Sequence, residues 1–242
     1  MNFLKFDDSK IKIVIENFRK RFNHELKYLD EYFELNNKML IRRRSDLDLC
    51  LKEDIQKHPD QEYIFRDFYQ VDYIKIPCYF YNSAIVSLYS LLENNINSLC
   101  EIIELESTLE IKLKDLAGSN IIDKGRLFLI KIGGVDFEKI DKEWFRIKDF
   151  QKLRNLIVHN NAQMRNTEKD YKLMRKFKEI NTYNINIEKD FHITDISIVY
   201  EFLGLIENFI NSILNQIEER QLKKNESDPK SLQYSILDDL PF

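Results

Sequence analysis

Arg154, Asn155 and His159 are the residues whose types and spacing come closest to chemistry. They stand in the run Leu153-Arg154-Asn155-Leu156-Ile157-Val158-His159-Asn160. A fixed cation, an amide and an imidazole suit a phosphodiester. The guanidinium can hold anionic oxygens, the amide can orient them, and the imidazole can move a proton near neutral pH. At 3.6 residues per turn Asn155 and His159 share a helix face, whereas Arg154 lies about 140° round from His159. Arg154 must therefore reach round on its long side chain, or meet a histidine contributed by a second subunit.

The elements that position this run are helices. Asp141 is a good cap for the helix that carries it, with Glu143 in the first turn and Trp144, Ile147, Phe150, Leu153 and Ile157 as its apolar stripe. That helix is expected to stop at Asn160-Asn161. Upstream, Pro77 suits the first turn of a long helix over residues 78–106, whose core-facing set is Ala84, Leu88, Leu91, Leu92, Ile96, Leu99 and Ile103. Glu93 sits beside that face, as a solvated carboxylate or one pointed into a polar pocket. A shorter helix is expected over 109–117, closed by Gly118. Ser119 or Asn120 then opens another, with Ile121, Ile122, Leu127, Phe128 and Ile130, and Gly133-Gly134 stops it.

Downstream, a helix starting near Thr167 clusters Lys169, Lys172, Arg175, Lys176 and Lys178, either as a local cationic patch able to meet RNA or as a solvated face. Residues 181–193 alternate partly and predict a small hairpin or extended loop, in which His192 reads as structural. Thr194 or Asp195 caps a last long helix carrying Ile196, Val199, Leu203, Ile206, Ile210, Ile213 and Ile217.

The N-terminal third opens with a stripe at Ile11, Ile15, Phe18, Phe22, Leu26, Leu29 and Phe33, in steps of three and four. It reads first as a core-packing helix and second as a coiled-coil dimerisation arm. That helix is expected to run from Lys10 to about Asn36, and Arg42-Arg43-Arg44 to interrupt the next stretch, with Ser45-Asp46 capping a short helix that carries Leu47, Leu51 and Ile55. His58-Pro59-Asp60 ends that segment. The aromatic-rich stretch 62–76 is either a short helix or an irregular packed segment. Together these readings give an N-terminal helical extension over 1–65, a helical domain over 66–222 and a polar tail over 223–242, whose Tyr234, Ile236, Leu237, Leu240 and Phe242 could dock it.

Composition narrows the class. Only 5 glycines and 4 prolines in 242 residues leave too few turn residues for a propeller, barrel or sandwich, so the expected class is all-α, an antiparallel helical bundle. A formal net charge of -4 is unlike a general nucleic-acid coat, and any RNA contact must use a local patch. Cys50, Cys78 and Cys100 have no metal-ligand or CxxC spacing and read as reduced, buried thiols. No carboxylate cluster or Cys/His array points to a metal, and no cofactor is expected. The first ten residues lack the pattern of a signal peptide, and the uncharged run 76–92 is too short and polar to span a bilayer. A cytoplasmic protein away from membranes is the expectation.

The helix containing SAIVSLYSLLENNINSLCEII (83–103), followed after shorter helices by LRNLIVHNN (153–161) and a last long helix, resembles the HEPN domain (higher eukaryotes and prokaryotes nucleotide-binding). In order of elements the resemblance covers residues 66–220; in identity it rests mainly on Arg154, Asn155 and His159. It implies a homodimer whose two Arg-His motifs meet in one cleft. It also implies a metal-independent endoribonuclease in a defence or toxin system, with an RNA substrate and an inhibitory or activating protein partner. Arg154, Asn155 and His159 would be catalytic, and Glu93 and Asn160 supporting. In members regulated through a tyrosine two residues after the histidine, that position is a tyrosine; here it is Asn161, which puts that mode of regulation in doubt. The other reading of the same features is a non-catalytic HEPN-like dimerisation or protein-interaction module.

Overall fold

Nothing between Asp8 and Lys57 breaks a helix: the first proline is Pro59 and the first glycine Gly118. In the computed structural model, which describes residues 8–107, 111–118, 120–160, 162–164, 167–185 and 188–226, this stretch is one continuous helix, α1 (Asp8–Lys57). It passes through Arg42-Arg43-Arg44, where an interruption was expected, because arginine is itself a good helix former. The pairs Lys27–Glu31, Glu34–Lys38 and Glu53–Lys57, at 3.7, 2.5 and 3.8 Å, add i,i+4 support along its exposed side. The break comes at the expected proline, as a 3-10 turn over Pro59–Gln61.

The second helix, α2 (Glu62–Glu106), absorbs both the aromatic segment and Pro77, which lies inside the helix rather than in its first turn. A proline there removes one N–H donor and crowds the preceding turn, a local cost that the intact turns on both sides bridge. Asn120 caps α3 (Ile121–Lys131) through its Oδ1, which accepts the Asp123 N–H at 2.8 Å. Of the short helix expected over 109–117, residues 108–110 lie outside the described set, and the remainder forms only a 3-10 turn at Leu113–Asp115. The cap expected at Asp141 is displaced. A 3-10 turn, Phe137–Ile140, leads directly into α4 (Asp141–Asn160), and Asp136 does the capping by accepting the Glu138 N–H at 3.0 Å.

Beyond α4 come β1 (Gln163–Met164), α5 (Thr167–Met174), β2 (Ile180–Ile185), β3 (Glu188–Ile193) and α6 (Ser197–Glu226). The hairpin expected from the alternation is β2–β3, and β1 adds a third antiparallel strand in the order β1-β3-β2. The architecture is all-α, a helical bundle with this one small sheet. Asp195 caps α6, its Oδ1 accepting the Ser197 N–H at 2.7 Å. The helix continues past Arg220 to Glu226, and the tail beyond it lies outside the described residues, as does Asn161. Ser197–Lys223 is apolar and long enough to cross a bilayer by length and composition. Its side chains at Phe202, Ile206, Phe209, Ile210 and Ile213 are fully buried core.

Two compact units share the long helices. The first comprises Met1–Asn23, Glu93–Asp141 and Glu207–Phe242, the second His24–Leu92 and Lys142–Ile206. In the first, Ile11, Ile15, Phe18 and Phe22 of α1 are buried, as are Ile96, Leu99 and Ile103 of α2 and Phe209, Ile210 and Ile213 of α6. The N-terminal stripe is thus core-packing, as its leading reading had it. In the second, Ala84, Leu88 and Leu92 of α2, Trp144, Ile147, Phe150 and Leu153 of α4, and Val199, Phe202 and Ile206 of α6 form the core.

The second unit also contains a helical pair of different character. From residue 34 to the end of α1, and from Glu62 to Pro77 of α2, no described side chain is buried. Polar bonds stitch these segments instead. Arg43 pairs with Asp72 at 2.9 Å, Tyr73 donates to Asp48 at 2.6 Å, and Tyr69 donates to Asp54 at 2.8 Å. The hydrogen bond to Asp54 holds the Tyr69 phenol up at about 12, and burial followed by the bond to Asp48 does the same for Tyr73, so both remain donors at any physiological pH.

The cysteines divide. Cys78 and Cys100 are buried as expected, but Cys50 is exposed on α1, a correction that follows from the thin packing there. Burial pushes the Cys78 thiol up to about 11 and the Cys100 thiol to about 12. Titration of the native chain with a disulfide reagent at pH 8 should therefore show one fast equivalent, which Cys50→Ser abolishes. Packing at Gly125 is tight: a Cβ there would fall inside van der Waals contact with Ile96 Cγ2. Gly125→Ala should lower stability by about 1–3 kcal/mol in urea unfolding, overpacking outweighing its better helix propensity.

Candidate functional site

The last turns of α4 are aimed by what its first turns bury. Phe150 stacks on Phe202 of α6 with ring centroids 4.1 Å apart and planes within 4°, and meets Phe177 edge-on at 5.1 Å. Arg146, one turn earlier, reaches the two oxygens of Glu201 at 2.6 and 3.0 Å and donates to the Lys176 carbonyl at 3.2 Å. Its guanidinium lies 4.1 Å over the Phe177 ring. These contacts set the rotation of α4 about its axis. On its inner side, Gln151 donates to the hydroxyl of Tyr89 on α2 at 2.7 Å, a buried bond that satisfies both groups.

With α4 so oriented, Asn155 and His159 are exposed and Arg154 is half-buried. The Arg154 guanidinium sits 5.3 Å over the Tyr89 ring, and its Nη1 donates to Asn155 Oδ1 at 3.1 Å. Among the described residues its buried Nε has no hydrogen-bond partner. Arg154 therefore bends toward the Asn155 side, held by the ring that Gln151 holds. It keeps most of its five donors unspent. The helix ends at Asn160, which is half-buried. Ala162 then takes a left-handed conformation (φ 60°) and donates its N–H to the Leu156 carbonyl at 3.1 Å, turning the chain into β1.

Among the other predicted residues, Glu93 is half-buried on α2. Lys169 and Arg175 are exposed, and Lys172 is exposed but paired with Glu168 at 2.7 Å. Lys176 is committed elsewhere: its Nζ contacts both oxygens of the buried Asp149 at 2.8 and 2.7 Å. Lys152 stands 3.8 Å from the same carboxylate. Sequence reasoning missed Tyr89, Gln151, Asp149 and Arg146. A signal existed for two of them, because Asp149 and Gln151 flank Phe150, a member of the apolar stripe, on either side.

His192 packs as expected of a structural residue, its Nδ1 3.4 Å from Cys78 Sγ. It also lines a cavity of about 330 Å³ with Arg43, Arg44, Asp72, Tyr73 and Tyr81, to which no residue of the 153–160 run contributes. Among the described residues no group of three or more His, Cys, Asp or Glu is placed to hold a metal ion. No protein-family model, curated protein or solved structure matches the chain.

Lys176→Ala would leave the Asp149 carboxylate buried with only the more distant Lys152. It should cost about 1–3 kcal/mol in urea unfolding, whereas Lys169→Ala should stay within about 0.5 kcal/mol of the parent.

Proposed function

We propose that the chain is a metal-independent endoribonuclease of HEPN type, acting at a composite site formed by two copies. The observation that supports this reading is the arrangement at the end of α4. Asn155 and His159 are exposed on one face, and Arg154 is turned onto Asn155 with its Nε unpartnered. That is a phosphate-sized set of donors beside an imidazole able to accept or donate a proton. The ribose 2′-OH attacks the adjacent phosphorus, its proton passing to a histidine, and the 5′-oxygen leaves with a proton returned to it, giving a 2′,3′-cyclic end. Arg154 holds the charge building on the phosphoryl oxygens, and Asn155 orients them. The 140° between Arg154 and His159 is resolved by pairing each arginine with the histidine of the other copy. A role in defence or as a toxin follows from the resemblance alone.

The second reading, a non-catalytic dimerisation or protein-interaction module, draws on a different observation: large apolar side chains stand exposed along α1 and α2, among them Tyr28, Leu35, Met39 and Phe68. An RNA-cleavage assay in EDTA with several RNAs separates the two. The nuclease predicts cleavage leaving 2′,3′-cyclic ends, with His159→Ala and Arg154→Ala each slower by about 10²–10⁴-fold. Undiminished cleavage by those variants, or no cleavage by the parent chain, would sink the nuclease reading.

A further inference from the structure

The cavity that Arg44 and His192 line lies within the second unit, where residues 37–47 of α1, 72–81 of α2 and the end of β3 converge. Its volume of about 330 Å³ is at the lower end of the ~300–1,000 Å³ of small-molecule sites. Leu40, Leu47, Ile74 and Ile76 give it an apolar wall, and the chain itself buries each of them only in part. An apolar body laid on that wall releases the water that otherwise covers it. The polar groups are few. Arg43 is neutralised by Asp72 at 2.9 Å. Arg44 lays its guanidinium 5.8 Å over the Tyr73 ring, a contact that spends none of its N–H donors. Tyr81 is buried, at 6% exposure, and among the described residues its hydroxyl makes no hydrogen bond. Burial raises this phenol above its usual value, so the hydroxyl stays a donor. Besides His192, the charged lining is Arg43, Arg44 and Asp72, which leave a single positive charge.

We propose that this cavity binds a small monocarboxylate with an apolar tail, its carboxylate on Arg44 and Tyr81 and its tail along the aliphatic wall of α1 and α2. The planar fork of a guanidinium matches the two oxygens of a carboxylate. The single net charge selects a monoanion. A phosphate monoester would bring further negative charge close to Asp72, and to Asp48 on the Tyr73 hydroxyl. The tail supplies apolar packing to two helical segments that polar bonds alone stitch together, so binding also holds them against local opening. The cavity shares no residue with the 153–160 run, and the test reads ligand binding rather than RNA cleavage.

Calorimetric titration of the full chain with octanoate should show one site per chain, and 1-octanol, of the same length without the charge, should bind at least tenfold more weakly. Arg44→Gln should cut octanoate affinity at least tenfold and leave octanol binding unchanged, while Tyr81→Phe should weaken octanoate several-fold. Arg42→Gln, on the same helix outside the cavity, should change neither. In hydrogen exchange, octanoate should slow the amides of residues 37–47 and 72–81. Equal affinity for octanoate and octanol, or octanoate binding indifferent to Arg44→Gln, overturns the carboxylate site. So does millimolar octanoate that gives neither heat nor protection, or protection confined to other segments.

Discussion

Face-to-face stacking of Phe150 on Phe202 is the contact from which the geometry of the candidate site follows. A helix packed through a broad aliphatic face can roll by tens of degrees at little cost. One pinned by a ring laid flat on another, with an arginine clamped to Glu201 beside it, cannot. Because 3.6 residues make a turn, fixing Phe150 inward fixes Asn155 and His159 outward. It also leaves Arg154 at the border, where the Tyr89 ring takes up the guanidinium. The polar residues on the buried side, Asp149 and Gln151, are tolerated because each finds a partner, Lys176 and the Tyr89 hydroxyl. Both partners are therefore structural residues.

Much of this was legible in the sequence, and the failures have a common cause. The stripes of α4 and α6, the caps at Asn120 and Asp195, the break at Pro59 and the hairpin before α6 all depend on neighbours within a few positions, and pattern reading sees those. Pro77 misled because a proline signals a helix start by local sterics alone, while the continuity of α2 depends on intact turns to either side. Arg42-Arg43-Arg44 misled because a charge run was given the weight of a helix breaker, though arginine has no such propensity. At the site, the shared face of Asn155 and His159 followed from helical spacing. The direction of Arg154 did not, since Tyr89 lies 65 positions away, and Lys176 reads as a surface cation until Asp149 is placed beside it.

The same division explains why α1 buries one stripe and leaves other large side chains, such as Tyr28, Leu35 and Met39, in water. Ile11 to Phe33 is the more apolar, so it takes the core. The outward side mixes tyrosine with arginine and aspartate, a composition that survives contact with water.

Pro77 has one more effect, on how the second helix comes apart. Before it, α2 contributes no buried side chain among the described residues; from Cys78 onward it enters the core. The missing N–H falls almost on that border, so the hydrogen-bond ladder is weakest where the packing changes. Residues 62–76 can then fray and exchange their amide protons with water while 78–106 stay protected until global unfolding. One continuous helix thus behaves as two cooperative segments, and the segment that opens readily is the one stitched to α1 by tyrosine and arginine.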